Sequence, residues 1–334
     1  MEEILILNPK RSADLKKIKA LQKGSFIVDE LAGQLEELNQ ITGKKTKKFL
    51  WVYYPWRKTL VKILPEKEFQ LVRTDRNRGL ITSPEQARFR KIRVAFAGLN
   101  VGNPGAVCAA LEGGANFMRL ADIEGLSLTN LNRFRAGLPD LGVNKAFLTA
   151  RQIWEVNPFA KLDILTGLLP GQEEKFLKNI DVLVEEIDYL PIKITLREQA
   201  KTMRVPVVMV TGNGPGLILD VERYDANAKL PILNGFLSKK YIEKVKGLNI
   251  KSLTANEKVV LVRDFMGGKF LSKRLHESFL LVGSKLAGIP QLAEASFLRG
   301  AVLAYDIRQI AVGAGLPSGR YLFSLDEIRR SKHA

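Results

Sequence analysis

The sequence predicts an α/β protein: a doubly wound, mainly parallel sheet with an N-terminal α+β extension and a helical C-terminal region. Three observations predict it. Apolar β-rich runs, Ile92–Ala97, Phe117–Ala121, Ile180–Val184, Val205–Thr211 and Leu217–Tyr224, alternate with stretches such as Ala106–Leu111 and Ala146–Trp154 that have helical spacing. The first run leads directly into Gly98-Leu99-Asn100-Val101-Gly102-Asn103-Pro104-Gly105, and the second stops at Asp122. Beyond Gly235 the pattern turns to helices. The predicted division is therefore 1–91 for the extension, 92–235 for the sheet domain and 236–334 for the helical region.

In chain order, Leu15, Ile18 and Leu21, then Ile27, Leu31, Leu35 and Leu38, have helical spacing broken at Gly24-Ser25, which predicts two short amphipathic helices. The runs 49–54 and 59–64 read as a hairpin across Pro55-Trp56-Arg57-Lys58. Ser83-Pro84-Glu85-Gln86 reads as a helix start with Ser83 as N-cap and Gln86 closing a capping box. Cys108 falls among apolar residues and reads as a packed, inert thiol. Gly212-Asn213-Gly214-Pro215-Gly216 ends a strand and reads as a flexible crossover beside a substrate site. Helices follow over 238–246, 255–265, 273–286 and 292–313, with His276 as a partly buried structural residue. Gly319-Arg320-Tyr321 has no assignment.

A strand, a glycine turn and a helix, in that order, present backbone N–H groups to a phosphate. Gly98, Asn100 and Gly102 are the candidates for that role. Their spacing is G-x-x-x-G-x-x-G, so the glycines alone leave a nucleotide site and an ordinary tight turn equally open. Asp122, about 20 residues on, stands where a strand-tip carboxylate holds a ribose hydroxyl. Asn130 and Arg133, three apart, share a side of one helical turn, and Lys145 opens the next helix, so an amide, a guanidinium and an ammonium can converge on phosphate oxygens. Solvent-facing loop charges are the competing reading.

At Asp122, Thr129-Asn130-Leu131-Asn132-Arg133, Leu141-Gly142-Val143-Asn144-Lys145, Asn157-Pro158 and Glu185-Glu186-Ile187-Asp188 the chain resembles the ThiF/MoeB/HesA family, adenylating enzymes related to the ubiquitin-activating proteins. The resemblance spans residues 70 to 235. Trp51-Val52-Tyr53-Tyr54-Pro55-Trp56 and Thr74-Asp75-Arg76-Asn77-Arg78 are similar to a bacterial ThiF-like subfamily sometimes joined to a nitroreductase domain. This resemblance implies a Rossmann-like nucleotide domain, ATP and Mg²⁺ as cofactors, and activation of a carboxylate, on a small molecule or a ubiquitin-like or peptide C-terminus, as an acyl adenylate. It also implies a homodimer in which Arg78, or Arg76, reaches the partner's triphosphate. Asp188 would lie near the α-phosphate and help hold magnesium, and Lys193 falls where the family has a basic residue. The implied catalytic set is Arg78, Arg133, Lys145 and Asp188. One departure matters: Cys108 is the sole cysteine, so neither a zinc site on two C-x-x-C pairs nor an acyl-carrying thiol beside it can form within the chain.

Composition limits the alternatives. At 334 residues and 46% hydrophobic content the chain can bury a substantial core. No apolar stretch approaches the roughly 18 to 20 residues that span a bilayer. The acidic start Met1-Glu2-Glu3-Ile4 lacks a signal-peptide core, which predicts a cytoplasmic location and no membrane partner. The net charge of +17 sits in the flanks: Lys plus Arg against Asp plus Glu is 20 to 11 over 1–91, 15 to 16 over 92–235 and 17 to 8 over 236–334. Basic flanks suit an acidic partner or RNA, against which stands the plain reading of solvated surface charge. The functional alternatives are an adenylyltransferase, a nucleotide-binding module (ATP or NAD) without turnover that supports a partner such as a nitroreductase, an RNA-directed activating enzyme, and a dinucleotide oxidoreductase in which Arg133 and Lys145 have no evident task.

Overall fold

The computed structural model describes residues 3–168 and 170–330; Met1-Glu2 of the acidic start lies outside them. Strands β1 (Leu5–Leu7), β2 (Phe26–Val28), β3 (Leu50–Tyr54) and β4 (Thr59–Ile63) make a four-stranded sheet in the order β1-β3-β4-β2, with helices α1 (Ser12–Gln22), α2 (Leu31–Thr42) and α3 (Glu66–Arg73) in the same unit. The expected hairpin is β3–β4, with Tyr54 opposite Thr59. The sequence reading missed β1 and β2, each three residues long and too short to display a period of two. The break at Gly24-Ser25 is where the chain enters β2. This unit is held to the rest by Trp56 Nε1 and Arg57 Nε, which both donate to Glu155 Oε1 at 2.6 Å, and by Tyr54 Oη donating to the Trp154 carbonyl.

Helix α4 (Ser83–Lys91) is capped by Thr82, one residue before the expected cap: Thr82 N donates to the Glu85 carboxylate at 2.8 Å while Thr82 Oγ1 accepts from Glu85 N. Then come β5 (Arg93–Ala97), α5 (Leu99–Leu111), β6 (Phe117–Ala121), α6 (Lys145–Val156), β7 (Lys161–Leu165), α7 (Glu173–Leu177), β8 (Val182–Glu185), α8 (Leu190–Thr202), β9 (Val207–Gly212) and β10 (Gly216–Glu222). The chain ends with α9 (Lys239–Lys246), α10 (Ala255–Met266), α11 (Lys273–Phe279), α12 (Ala293–Val312), β11 (Gly319–Ser324) and α13 (Leu325–Arg330).

The second sheet has seven strands in the order β11-β10-β9-β8-β5-β6-β7. Strands β9, β8, β5, β6 and β7 are parallel; β10 and β11 add antiparallel. Alternation along β5 divides the core: Val94 and Phe96 pack in one cluster with Ala106, Ala150 and Leu303, whereas Ala95 and Ala97 pack in another with Phe176, Leu196 and Ala200. Helices therefore cover both faces, as expected of a doubly wound sheet. Among the described residues no helix is long and apolar enough to cross a membrane.

The helical C-terminal region is continuous with this sheet. Arg320 on β11 makes a bidentate pair with Asp220 on β10, Nε to Oδ1 at 2.7 Å and Nη2 to Oδ2 at 3.0 Å. Helix α12 lies directly on α5, and glycine makes this possible. A Cβ on Gly105 would sit 2.7 Å from Leu303, and one on Gly300 would sit 2.9 Å from Pro104. Three expectations need correction here. The segment 212–216 is a tight hairpin turn between β9 and β10, closed by Asn213 N to Gly216 O at 2.9 Å and anchored by Asn213 Nδ2 to Phe270 O, rather than a crossover. Helix α11 stops at Phe279, not 286, because the chain turns at Gly283, whose φ is 84°. His276 is exposed.

Candidate functional site

Successive parallel strands run outward in opposite directions from β5, with β6 and β7 on one side and β8 and β9 on the other. In such sheets the helices leave on opposite faces at this reversal and a crevice opens at the carboxyl ends of the strands. A cavity of about 580 Å³ lies there, lined by the ends of β5, β6 and β8 through Gly98, Asn100, Asp122, Glu124, Glu186 and Asp188.

Gly98 is the turn itself. Its φ of +88° favours glycine, and a Cβ would run into the carbonyl of Glu186 on the neighbouring strand end. Helix α5 begins immediately after it at Leu99, seven residues earlier than the expected helix at Ala106, so Gly102 and Gly105 are helical rather than part of a loop. A Cβ on Gly102 would meet only ordinary neighbours, the nearest at 3.6 Å, and Gly105 serves the α12 contact. The side-chain oxygen Oδ1 of Asn100 is buried at the cavity with no hydrogen-bond partner. Such a group calls for a donor from outside the chain.

Asp122 follows β6 as expected and fastens the turn: Oδ2 accepts from Leu99 N at 2.6 Å and Oδ1 from Glu124 N at 2.8 Å. Burial raises its pKa; the two amides and the nearby Lys145 act against that rise. Asp188 is accessible at the cavity, yet the surrounding protein strips enough water from its carboxyl to raise its pKa, with Glu124, Glu185 and Asp122 pushing the same way against Lys193. Glu186 is buried, accepts from Val210 N at 2.6 Å, and is pushed up to about 8, first by burial and then by Glu185. The floor is thus rich in carboxyl groups whose charge is unbalanced.

The cations are placed differently from the sequence expectation. Lys145 opens α6 and is buried, with Nζ on Glu124 Oε2 at 2.6 Å. Arg133 donates from Nη1 to the Thr129 carbonyl at 3.0 Å and to Asn132 Oδ1 at 2.8 Å, leaving Nε buried without a partner, and it is near enough to Asp188 to feel its charge. Asn130 does not face the cavity; its Oδ1 accepts from Ser127 N at 3.1 Å and caps the short turn that shapes the loop. Arg78 is exposed and paired with Asp75 at 2.8 Å, outside the residues lining the cavity. Lys193 is buried beneath the site, with Nζ on Glu185 Oε2 at 2.8 Å.

Two features had no expectation. Leu168, Ile187, Tyr189 and Ile192 form an apolar wall of the cavity; the only sequence sign of it was an apolar start to the helix after Asp188. Beneath the floor, Arg197, wholly buried, donates to both Glu185 and Glu222, and Tyr224 donates to Glu222. Lys193 and Arg197 hold the Glu185 carboxyl below the ordinary range although burial opposes them. Cys108 lies away from this cavity and its thiol is pushed up to about 11, chiefly by burial.

A doubly wound sheet with a glycine turn at its switch point and an acid at the tip of the adjacent strand defines a nucleotide-binding class of α/β protein. Residues 74–215 match the model of the ThiF family. The chain is 38% identical over 325 residues to the uncharacterized protein MT1398 of Mycobacterium tuberculosis, a match over 95% of this chain and 44% of that protein. It therefore spans less than half the length of the curated relative. Solved structures of similar fold include E. coli tRNA N6-threonylcarbamoyladenosine dehydratase, TcdA, in complex with AMP, with TM-score 0.53, 16% identity, and 73% of this chain and 95% of that chain covered. E. coli MccB with MccA-N7isoASN gives TM-score 0.51 at 15% identity, covering 79% of this chain and 77% of that one. At these identities the likeness establishes the fold.

Proposed function

We propose that the chain is an ATP-dependent adenylyltransferase that activates a carboxylate as an acyl adenylate. The observation that carries this reading is the cavity at the switch point, where the Gly98 turn, Asp122 and Asp188 meet beside an apolar wall. Asp122 would take a ribose hydroxyl, since each of its oxygens uses one lone pair on an amide and retains another. Leu168, Ile187 and Tyr189 offer the base an apolar surface. The substrate carboxylate oxygen attacks the α-phosphorus in line; that P–O bond forms as the bond to the β-phosphate oxygen breaks, and pyrophosphate leaves. Arg133 and Lys145 would meet the developing charge by exchanging their present acceptors, Thr129, Asn132 and Glu124, for phosphate oxygens. Arg78 would act from a second copy of the chain.

The carboxyl groups fit magnesium. Burial raises the charge cost of Asp122 and Asp188; Glu124 adds to it at Asp122, and Glu124 and Asp122 add to it at Asp188, which a divalent ion relieves. Among the described residues no three His, Cys, Asp or Glu side chains form a ready cage, and Mg²⁺ on a nucleotide needs one or two carboxylates, here Asp188 first. When bound it would neutralise phosphate charge.

An ATP–pyrophosphate exchange assay, run with small carboxylic acids and with peptides ending in a free carboxylate, tests the reading. Exchange that falls at least about a hundredfold in Lys145→Ala and Arg133→Ala supports it; exchange unaffected by either substitution counts against it. A second reading, nucleotide binding without turnover in support of a partner such as a nitroreductase, draws on one observation: Lys145 is already satisfied by Glu124. ATP binding with no exchange on any carboxylate favours it. An RNA-directed role rests on the basic flanks alone and requires an RNA affinity that falls steeply with salt.

A further inference from the structure

A second cavity, also about 580 Å³, lies at the C-terminal end of α5, away from the crevice at that helix's start, between α12, β10, the edge strand β11 and the loop joining α12 to β11. Leu219, Val302, Tyr305, Tyr321 and Phe323 give it apolar and aromatic walls. Asp306 lines it too. Only 2% of Asp306 is exposed, and its Oδ2 has no hydrogen-bond partner. An unpaired carboxyl in apolar surroundings is costly, and such a group in a native fold asks for a ligand. The surrounding charges do not supply one: Arg308 faces Tyr305 and Glu112, and Tyr321 Oη donates to the Pro317 carbonyl.

The geometry points to a second small-molecule site, independent of the nucleotide crevice, that takes an organic ammonium: an apolar or aromatic body carrying one cationic amine, its N–H on Asp306. With Tyr305 already facing Arg308, the aromatic side chain of Tyr321 is the one that suits such a cation, and the volume is that of an ordinary ligand pocket. A neutral apolar molecule would leave the carboxyl unpaired, and an anion would meet it with like charge. Burial pushes Asp306 up to about 7. It is therefore largely protonated below that pH and charged above it, so ammonium binding should strengthen as pH rises through 7. The other titratable or charged groups at the cavity are Tyr305 and Arg308 on α12, Tyr321 on β11, and Cys108 and Glu112 on and just after α5; burial holds the Cys108 thiol neutral to about 11.

The probes are 2-phenylethylammonium and its neutral counterpart 2-phenylethanol, titrated calorimetrically into the full chain. At pH 8 the ammonium should bind about tenfold or more tighter than the alcohol. Asp306→Asn, nearly isosteric, should bring the ammonium down to the affinity of the alcohol and leave the alcohol unchanged, and Val302→Trp should exclude both. For wild-type protein alone, the ammonium affinity should rise roughly tenfold from pH 6 to pH 8 while that of the alcohol stays flat. Equal affinities for the two probes, a preference for the ammonium that survives in Asp306→Asn, a flat pH profile for the ammonium, or no binding of either probe overturns the site. None of these outcomes depends on ATP, so the adenylation reading stands or falls separately.

Discussion

Gly98 and Asp122 are the two residues on which the crevice turns, one by lacking a side chain and the other by holding the start of α5 in place. Gly98→Ala must accept a φ of +88° and displace the Glu186 backbone, which should cost on the order of 2 to 3 kcal/mol, read as a lower melting temperature, and weaken nucleotide binding. Both residues were legible because a backbone requirement and a strand-tip acid leave local marks. Asn130 was not: an amide three residues before an arginine suits phosphate binding and turn capping equally, and the local backbone decided for the cap. Arg197 and Glu222 were invisible because a buried charge pair is formed by residues 25 apart that no period connects. Asp306 supplies its own prediction. Its folded pKa of about 7 lies above the unfolded carboxylate value, so its contribution is fully present at low pH and lost as pH climbs toward 7. Asp306→Asn should therefore raise the melting temperature more at pH 8 than at pH 5, and change it little only below about pH 4.

At the scale of elements, β8 with α8 and α5 with α12 are the two pairs that fix the floor and the back of the site. Glu185→Gln would leave Arg197 and Lys193 short of their shared counter-charge, and removing one member of such a buried network typically costs about 3 to 5 kcal/mol. Chemical denaturation should show that loss. Replacing both ends of an ion pair in the network with apolar residues of similar volume should cost much less. Gly300→Leu would force α12 off Pro104 and should destabilise the chain by roughly 1 to 3 kcal/mol. The parallel strands β5, β6, β8 and β9 were readable because runs buried on both faces are nearly continuously apolar, as in β8, whereas β7, interrupted by Asp163 and opening on Lys161, was not. Strand β11 was not, since Gly319-Arg320-Tyr321 lacks that signature and its partner β10 is about a hundred residues away.

On the whole-molecule scale, a near-neutral sheet domain stands between basic flanks, and the N-terminal sheet, the doubly wound sheet and α12 are joined by direct packing and hydrogen bonds. The chain matches less than half the length of its curated relative. The central claim is that this crevice receives ATP. Calorimetric titration with ATP in the presence of magnesium tests it most directly: one saturable site per chain is predicted, weakened roughly ten- to a hundredfold by Asp122→Ala in a protein that remains folded. No heat with ATP, or saturable binding that Asp122→Ala leaves untouched, would contradict it.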